Sequence, residues 1–284
     1  MTWTDTMHYY VAWALVTILL VMPAIANNNC DVLDKIGEKN KCYDKILESD
    51  PQNIEALLGK CEYGNSSTPK EIDECIKYCN RVIVIDSKIS EAWGEKSYRL
   101  KEKGNLFELK GDVFKQGNTT DSLYEVLKLN ETECYNTIQC YDDAKRCYNE
   151  TIQFADKAIE ADSRNAYAWD AKGDVLFKLQ RYEEAIRCYN EVIEINPKST
   201  DVFWANVWAS KGSALYKQSK YEDAILCYDR SIEMVENSTE FGAQSANEAS
   251  AYRGKSRCLM KLGRIEEADA SLAKAEELQG VRLS

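Results

Sequence analysis

Eleven cysteines carry the most reactive side chains of this 284-residue sequence: Cys30, Cys42, Cys61, Cys75, Cys79, Cys134, Cys140, Cys147, Cys188, Cys227 and Cys258. No two of them form a Cys-x-x-Cys pair, so dithiol redox centres and zinc ribbons lack their basic element. Cys134, Cys140 and Cys147 recur at six and seven residues, which suits one helix face but no known metal centre. Cys147, Cys188 and Cys227 each precede a tyrosine in a recurring phrase (RCYN, RCYN, LCYD), and recurrence of that kind points to packing. A single histidine, His8, precedes an apolar run, so His-containing triads and His-ligated zinc are excluded for any processed form. Paired carboxylates occur at Glu183-Glu184, Glu222-Asp223 and Glu266-Glu267. Each pair stands where a helix begins, favouring the helix dipole rather than forming a glycosidase pair, for which the pattern supplies no cleft. Glycines are scattered singly, so no phosphate-cradling loop is present, and neither a metal nor a cofactor is expected.

The 36 Lys and Arg against 47 Asp and Glu give a net charge of -11, which repels phosphate backbones and argues against nucleic acid as a partner. No formal charge occurs between Asp5 and Asp31, and Tyr9 to Ala26 (YYVAWALVTILLVMPAIA) is densely apolar. Ala24-Ile25-Ala26 offers small residues at a signal-peptidase spacing, whereas the n-region has no Lys or Arg and contains Asp5. Residues 1–26 are therefore expected to be a cleaved signal peptide or a retained N-terminal transmembrane anchor. Export is consistent with five N-x-[ST] sequons, at Asn65, Asn118, Asn130, Asn149 and Asn237, as candidate glycosylation sites.

Four prolines, 13 glycines and abundant Ala, Glu, Lys and Leu predict helices, and self-comparison predicts how they are arranged. The segment from Ala168 aligns with that from Val207, matching Trp169 with Trp208, Gly173 with Gly212 and Leu176 with Leu215. Further along, Tyr182, Ala185 and Tyr189 match Tyr221, Ala224 and Tyr228. Two antiparallel helices approach closely only where both carry small residues, here Gly173 against Ala185 and Gly212 against Ala224. Thr68-Pro69-Lys70-Glu71 reads as a capping box with proline at the first helical position. Asp50-Pro51 and Asn196-Pro197 occupy equivalent turns between units.

These residues resemble the tetratricopeptide repeat, a 34-residue helix-turn-helix; the match is strongest over Asn165 to Pro197, where Lys172 and Val192 depart from the usual Leu and Ala. With each aromatic start as position 4, the register extends to Tyr252 and Gly263 downstream and to Trp93 and Leu57 upstream. The resemblance implies an all-α, right-handed superhelical solenoid of about six repeats. Its expected divisions are a capping helix region at 27–53, degenerate repeats with an insertion at 54–131, repeats at 132–199, and repeats with a C-terminal cap at 200–284. The gap of 76 residues between Trp93 and Trp169 is read as two repeats plus eight, the second running from about Thr132 to Asn165 with a degenerate first helix. By the same alignment Cys61 stands at position 8 and Cys75 at position 20, so a Cys61–Cys75 disulfide is expected if the compartment is oxidising.

The first helices of such repeats line a concave groove. Carried over by register, that groove holds Tyr167, Asp170, Asp174, Phe177 and Lys178, then Tyr216 and Lys217, then Arg253, Arg257 and Lys261. Asp170 and Asp174 stand where the family's clamp for C-terminal carboxylates has Lys and Asn. The implied function is non-catalytic binding of a protein or peptide, by a module exported or anchored to face outward. The alternatives are a non-catalytic subunit of a cell-surface enzyme complex and a purely structural surface component. Membrane contact is expected through the N-terminal segment alone.

Overall fold

The computed structural model describes residues 30, 35–64, 67–116, 136–197, 202–236 and 244–280. The apolar run Tyr9 to Ala26 lies outside them, as do the sequons Asn65, Asn118, Asn130 and Asn237. Among the described residues there are eleven α-helices and no strand. They are α1 (Ile36–Ser49), α2 (Ile54–Glu62), α3 (Pro69–Ile85), α4 (Ser90–Gln116), α5 (Thr137–Ala161), α6 (Ala166–Lys178), α7 (Tyr182–Ile195), α8 (Val202–Lys217), α9 (Tyr221–Glu236), α10 (Gln244–Lys261) and α11 (Ile265–Gly280). None of the described helices is long and apolar enough to cross a membrane. The chain divides into two compact units, Met1–Cys147 and Tyr148–Ser284, at a point inside α5.

In the second unit α6 to α11 form three helical hairpins, each helix packing on the next. The recurring tyrosine of the second helix explains the recurring glycine of the first. A Cβ on Gly173 would stand 2.7 Å from the Tyr189 ring, and one on Gly212 would stand 3.1 Å from that of Tyr228. The closest approach within a repeat thus joins positions 8 and 24, glycine beneath tyrosine, rather than the two small residues alone. Each phenol is also tied back to position 9: Tyr189 donates to Asp174 at 3.0 Å, and the Tyr228 and Ser213 hydroxyls lie 3.0 Å apart. The hairpin turns share one form, a left-handed residue at Gln180, Ser219 or Gly263 (φ 61°, 62° and 74°). In each, the following N–H bonds five residues back: Arg181 to Leu176, Lys220 to Leu215 and Arg264 to Leu259, at 2.8–3.0 Å.

The first unit uses the same parts with different contents. Asn53 caps α2 through the Ala56 N–H, and Thr68 and Glu71 form the expected reciprocal capping box at the start of α3. Asp50, Asp86 and Asp162 each accept from the N–H two residues on, opening three equivalent turns before α2, α4 and α6. Among the described residues two disulfides join one described cysteine to another, Cys30–Cys42 and Cys61–Cys79, with Cα atoms 5.7 and 5.4 Å apart, and Cys140 is disulfide-bonded too. The expected Cys61–Cys75 bond is therefore corrected. Cys79 stands at position 24, where other repeats place the tyrosine that covers position 8, so it is Cys79 that reaches Cys61. Cys75 is a buried free thiol packed against the Gly64 backbone.

The interval between Trp93 and Trp169 also differs from expectation. Its described residues form two long helices, α4 of 27 and α5 of 25 residues, and α5 occupies Thr137–Ala161 as one helix where a repeat with a degenerate first helix is expected. Gly111 lies beneath the Tyr141 ring, and Tyr141 donates to Asp112 at 2.5 Å, reproducing the contact of Gly173, Asp174 and Tyr189. Gly111 is 14 residues beyond Ser97, which holds position 8 by register, and 14 residues is close to four helical turns, so the same face returns.

Candidate functional site

The first helices α6, α8 and α10 of the second unit carry all ten of the residues assigned to the groove, and α8 touches both of its neighbours. Tyr167 is 58 % exposed and its ring lies 4.7 Å from that of Phe203, linking α6 to α8. Arg257 places its guanidinium 5.6 Å from the Tyr216 ring, linking α10 to α8. Phe177 and Tyr216 are half-buried, each braced by the tyrosine that opens the following helix: Phe177 by Tyr182 at 5.5 Å and Tyr216 by Tyr221 at 5.6 Å. Both hold position 12, so an aromatic row crosses from repeat to repeat. Lys178, Lys217 and Lys261 hold position 13 in three successive repeats and are exposed.

Two of the assigned residues are drawn into the fold. Asp174 accepts from Tyr189, and burial together with the charges of Asp174 and Asp170 raises that phenol well above its ordinary pKa. Tyr189 therefore remains a hydrogen-bond donor across the physiological range. Arg253 donates to the Gln279 side chain on α11. Arg257, Lys217 and Lys261 are exposed.

The cysteines of this unit supply no nucleophile. Cys188, Cys227 and Cys258 are buried free thiols whose pKa is pushed up to about 11 by desolvation, which keeps them protonated and inert. Among the described residues no three His, Cys, Asp or Glu side chains come together as a metal-binding group. Asn149 lies in α5 and is exposed, the one sequon among the described residues.

Sequence reasoning missed a second recurring cation. Lys172 departs from the repeat pattern at position 7, and so do its equivalents Lys60, Lys96, Lys211 and Lys255. Four of the five reach position 25 of the preceding second helix: Lys60 to Asp44 (2.8 Å), Lys96 to Asn80 (2.7 Å), Lys172 to Asp156 (2.5 Å) and Lys255 to Asp229 (2.6 Å). Lys96, Lys172 and Lys211 also lie 4.9–5.8 Å from the tryptophan ring at position 4. These lysines fasten one repeat to the next. Their signal was legible, since lysine recurs three residues after each position 4.

In the first unit the buried polar centre is Arg99. It donates through Nε to the Cys61 carbonyl (3.1 Å), through Nη2 to that of Glu62, and through Nη1 to Glu102 (2.7 Å). The last carbonyls of α2 are thereby satisfied by a cation, as a helix C-terminus favours. Burial raises the neighbouring Glu95 carboxyl to about 7, against the opposing pull of Arg99.

Family models described as tetratricopeptide repeat match residues 166–199 and 210–280, so the chain carries tetratricopeptide repeats there. The structure is similar to that of YrrB, described as a TPR protein with an unusual peptide-binding site, at 16% identity and a TM-score of 0.50, covering 84% of this chain and 92% of that one. It is similar to MamA (residues 41 to the end) from Desulfovibrio magneticus RS-1, at 14% identity and a TM-score of 0.51 over 88% and 100% of the two chains. TTC0263, a thermophilic TPR protein of Thermus thermophilus, gives 10% identity and a TM-score of 0.51 over 84% and 97%. These likenesses are of fold. A sequence search of curated proteins gave no match.

Proposed function

We propose that this chain is a protein-binding scaffold whose partner docks on the first-helix face of the second unit, without catalysis by the chain itself. The observation that carries the reading is the accessible aromatic and cationic row on α6, α8 and α10, with Arg257 against Tyr216 and Tyr167 against Phe203. Rings and guanidinium groups of this kind are the usual anchors of protein interfaces. The peptide-binding site described for YrrB is in keeping with it. Inert thiols and glycine-buried tyrosines leave the rest of the unit to packing.

Export or outward-facing anchorage belongs to the same proposal. It is supported by the apolar run Tyr9 to Ala26, by the sequons, and by the bonded state of Cys30, Cys42, Cys61, Cys79 and Cys140, since disulfides persist in oxidising compartments. Affinity capture tests the binding reading. Replacing Phe177, Tyr216 and Arg257 together by alanine is expected to weaken a captured partner at least tenfold, whereas a change within threefold means that the face is not the site. Protease accessibility on intact cells tests the orientation: a chain protected until lysis is not outside.

A further inference from the structure

The cations of the C-terminal hairpin divide into a paired set and one unpaired stripe. Lys255 pairs with Asp229 (2.6 Å), Arg264 with Glu267 (2.5 Å) and Lys274 with Glu277 (3.1 Å). By contrast, no ion pair among the described residues engages Arg253, Arg257 or Lys261, which follow one another at four-residue steps along α10, nor Lys217 on α8. In a chain of net charge -11 with 47 carboxylates, leaving four clustered cations without a carboxylate is a local reversal of the prevailing charge. Their intramolecular contacts are to neutral groups, Arg253 to Gln279 and Arg257 to the Tyr216 ring.

Spacing says what kind of anion fits. Four residues of α-helix advance about 6 Å. Two residues of extended chain advance about 6.6 Å and return to the same side. Carboxylates at alternate positions of an extended peptide therefore meet Arg253, Arg257 and Lys261 in turn. A run of consecutive acids would point every second one away. Tyr216, braced by Tyr221, borders the middle of the stripe and offers a ring face for an apolar or aromatic residue beside the acids.

We propose that the partner of this face is an extended acidic segment with carboxylates at alternate positions, held by Arg253, Arg257 and Lys261 on α10 with Lys217 and Tyr216 of α8 beside them. The inference rests on the binding reading above and adds its ligand chemistry.

The test uses the full chain and three labelled synthetic peptides of equal length: one with Glu alternating with Ser, one with the same residues in two blocks, and one with Lys in place of Glu. The alternating acidic peptide should bind at least tenfold tighter than the Lys peptide and at least threefold tighter than the block peptide. Its affinity should fall severalfold between 50 and 300 mM salt. The variant R253E/R257E/K261E should lose the acidic peptide by at least tenfold and gain the Lys peptide, a gain that an unfolded variant cannot give. The inference is overturned if the acidic peptide shows no binding at millimolar concentration, if the Lys or block peptide binds as well, or if charge reversal leaves the affinities unchanged. The triple alanine variant of Phe177, Tyr216 and Arg257 is read on the captured partner itself. Loss there without acidic preference here would retain the docking face and discard the acidic ligand.

Discussion

Three helical glycines separate packing from propensity, because a Cβ would meet a tyrosine ring at different distances at two of them and nothing at the third. A Cβ at Gly173 would stand 2.7 Å from a Tyr189 ring that is buried and held by Asp174, so the ring must shift by more than half an ångström. At Gly212 the nearest approach is 3.1 Å, and at Gly37 on α1 nothing lies within 4 Å. Alanine gains about 1 kcal/mol over glycine inside a helix, and less in the first turn, where Gly37 sits. Overpacking a buried contact costs about 1–3 kcal/mol, and shifting the phenol weakens a hydrogen bond worth about 1 kcal/mol. The balance makes Gly173→Ala destabilising by about 1–2 kcal/mol, Gly212→Ala near neutral, and Gly37→Ala stabilising by about 0.5 kcal/mol. Urea titration followed by circular dichroism at 222 nm reads all three. Adding Tyr189→Leu to Gly173→Ala should restore part of the loss, since the smaller side chain frees the space. If Gly173→Ala is as stable as the parent, the tyrosine-over-glycine contact does not set the repeat geometry and the reasoning is refuted.

The left-handed turn residues Gln180 and Ser219 lack the freedom of Gly263, so Gln180→Gly and Ser219→Gly should each stabilise by about 0.5 kcal/mol, measured as a shift of the urea midpoint. Glu95 holds a proton up to about pH 7 in the folded chain, against an ordinary value of 4.5. Its ionisation therefore costs nothing below about pH 4.5, destabilises the fold progressively as pH rises from there to 7, and reaches a deficit of about 3 kcal/mol above that. Glu95→Gln should flatten this part of the stability–pH curve and raise stability at pH 8; an unchanged curve would contradict the assigned burial. Denaturing alkylation without reductant should label Cys75, Cys147, Cys188, Cys227 and Cys258 and spare Cys30, Cys42, Cys61, Cys79 and Cys140. Reduction should cost the Cys61–Cys79 region about 3 kcal/mol, read as a lower urea midpoint, while Cys75→Ala leaves that bond intact.

The repeat was legible because its signals are local and recurrent: Trp169 and Trp208, the Gly and Tyr of each hairpin, and the paired acids at each second-helix start. The disulfide partner was not, because register alone offered Cys75 and Cys79 one turn apart on α3. Choosing between them required knowing that position 24, not position 20, covers position 8. The tyrosines that mark position 24 elsewhere already carried that information. The long pair α4 and α5 was misread for a different reason. Fourteen residues added to a helix preserve its face, so Gly111 reads as a new start although α4 is continuous from Ser90 through Gly111. At the proposed docking face, the register put the ten residues on α6, α8 and α10, but it showed neither that Asp174 is committed to Tyr189 nor that Arg257 rests on Tyr216. Such pairings join different helices, and no local pattern records them.

The central claim is that a protein partner meets the first-helix face of the second unit, and photocrosslinking reads contact directly. A benzophenone amino acid at Tyr216 on α8 is compared with one at Leu226, which is 67 % exposed on the second helix α9. With extract from the native source, the account predicts a discrete adduct at position 216, suppressed by excess unlabelled parent chain, and none at position 226. Equal adducts at both positions, or an adduct at 226 alone, would contradict it.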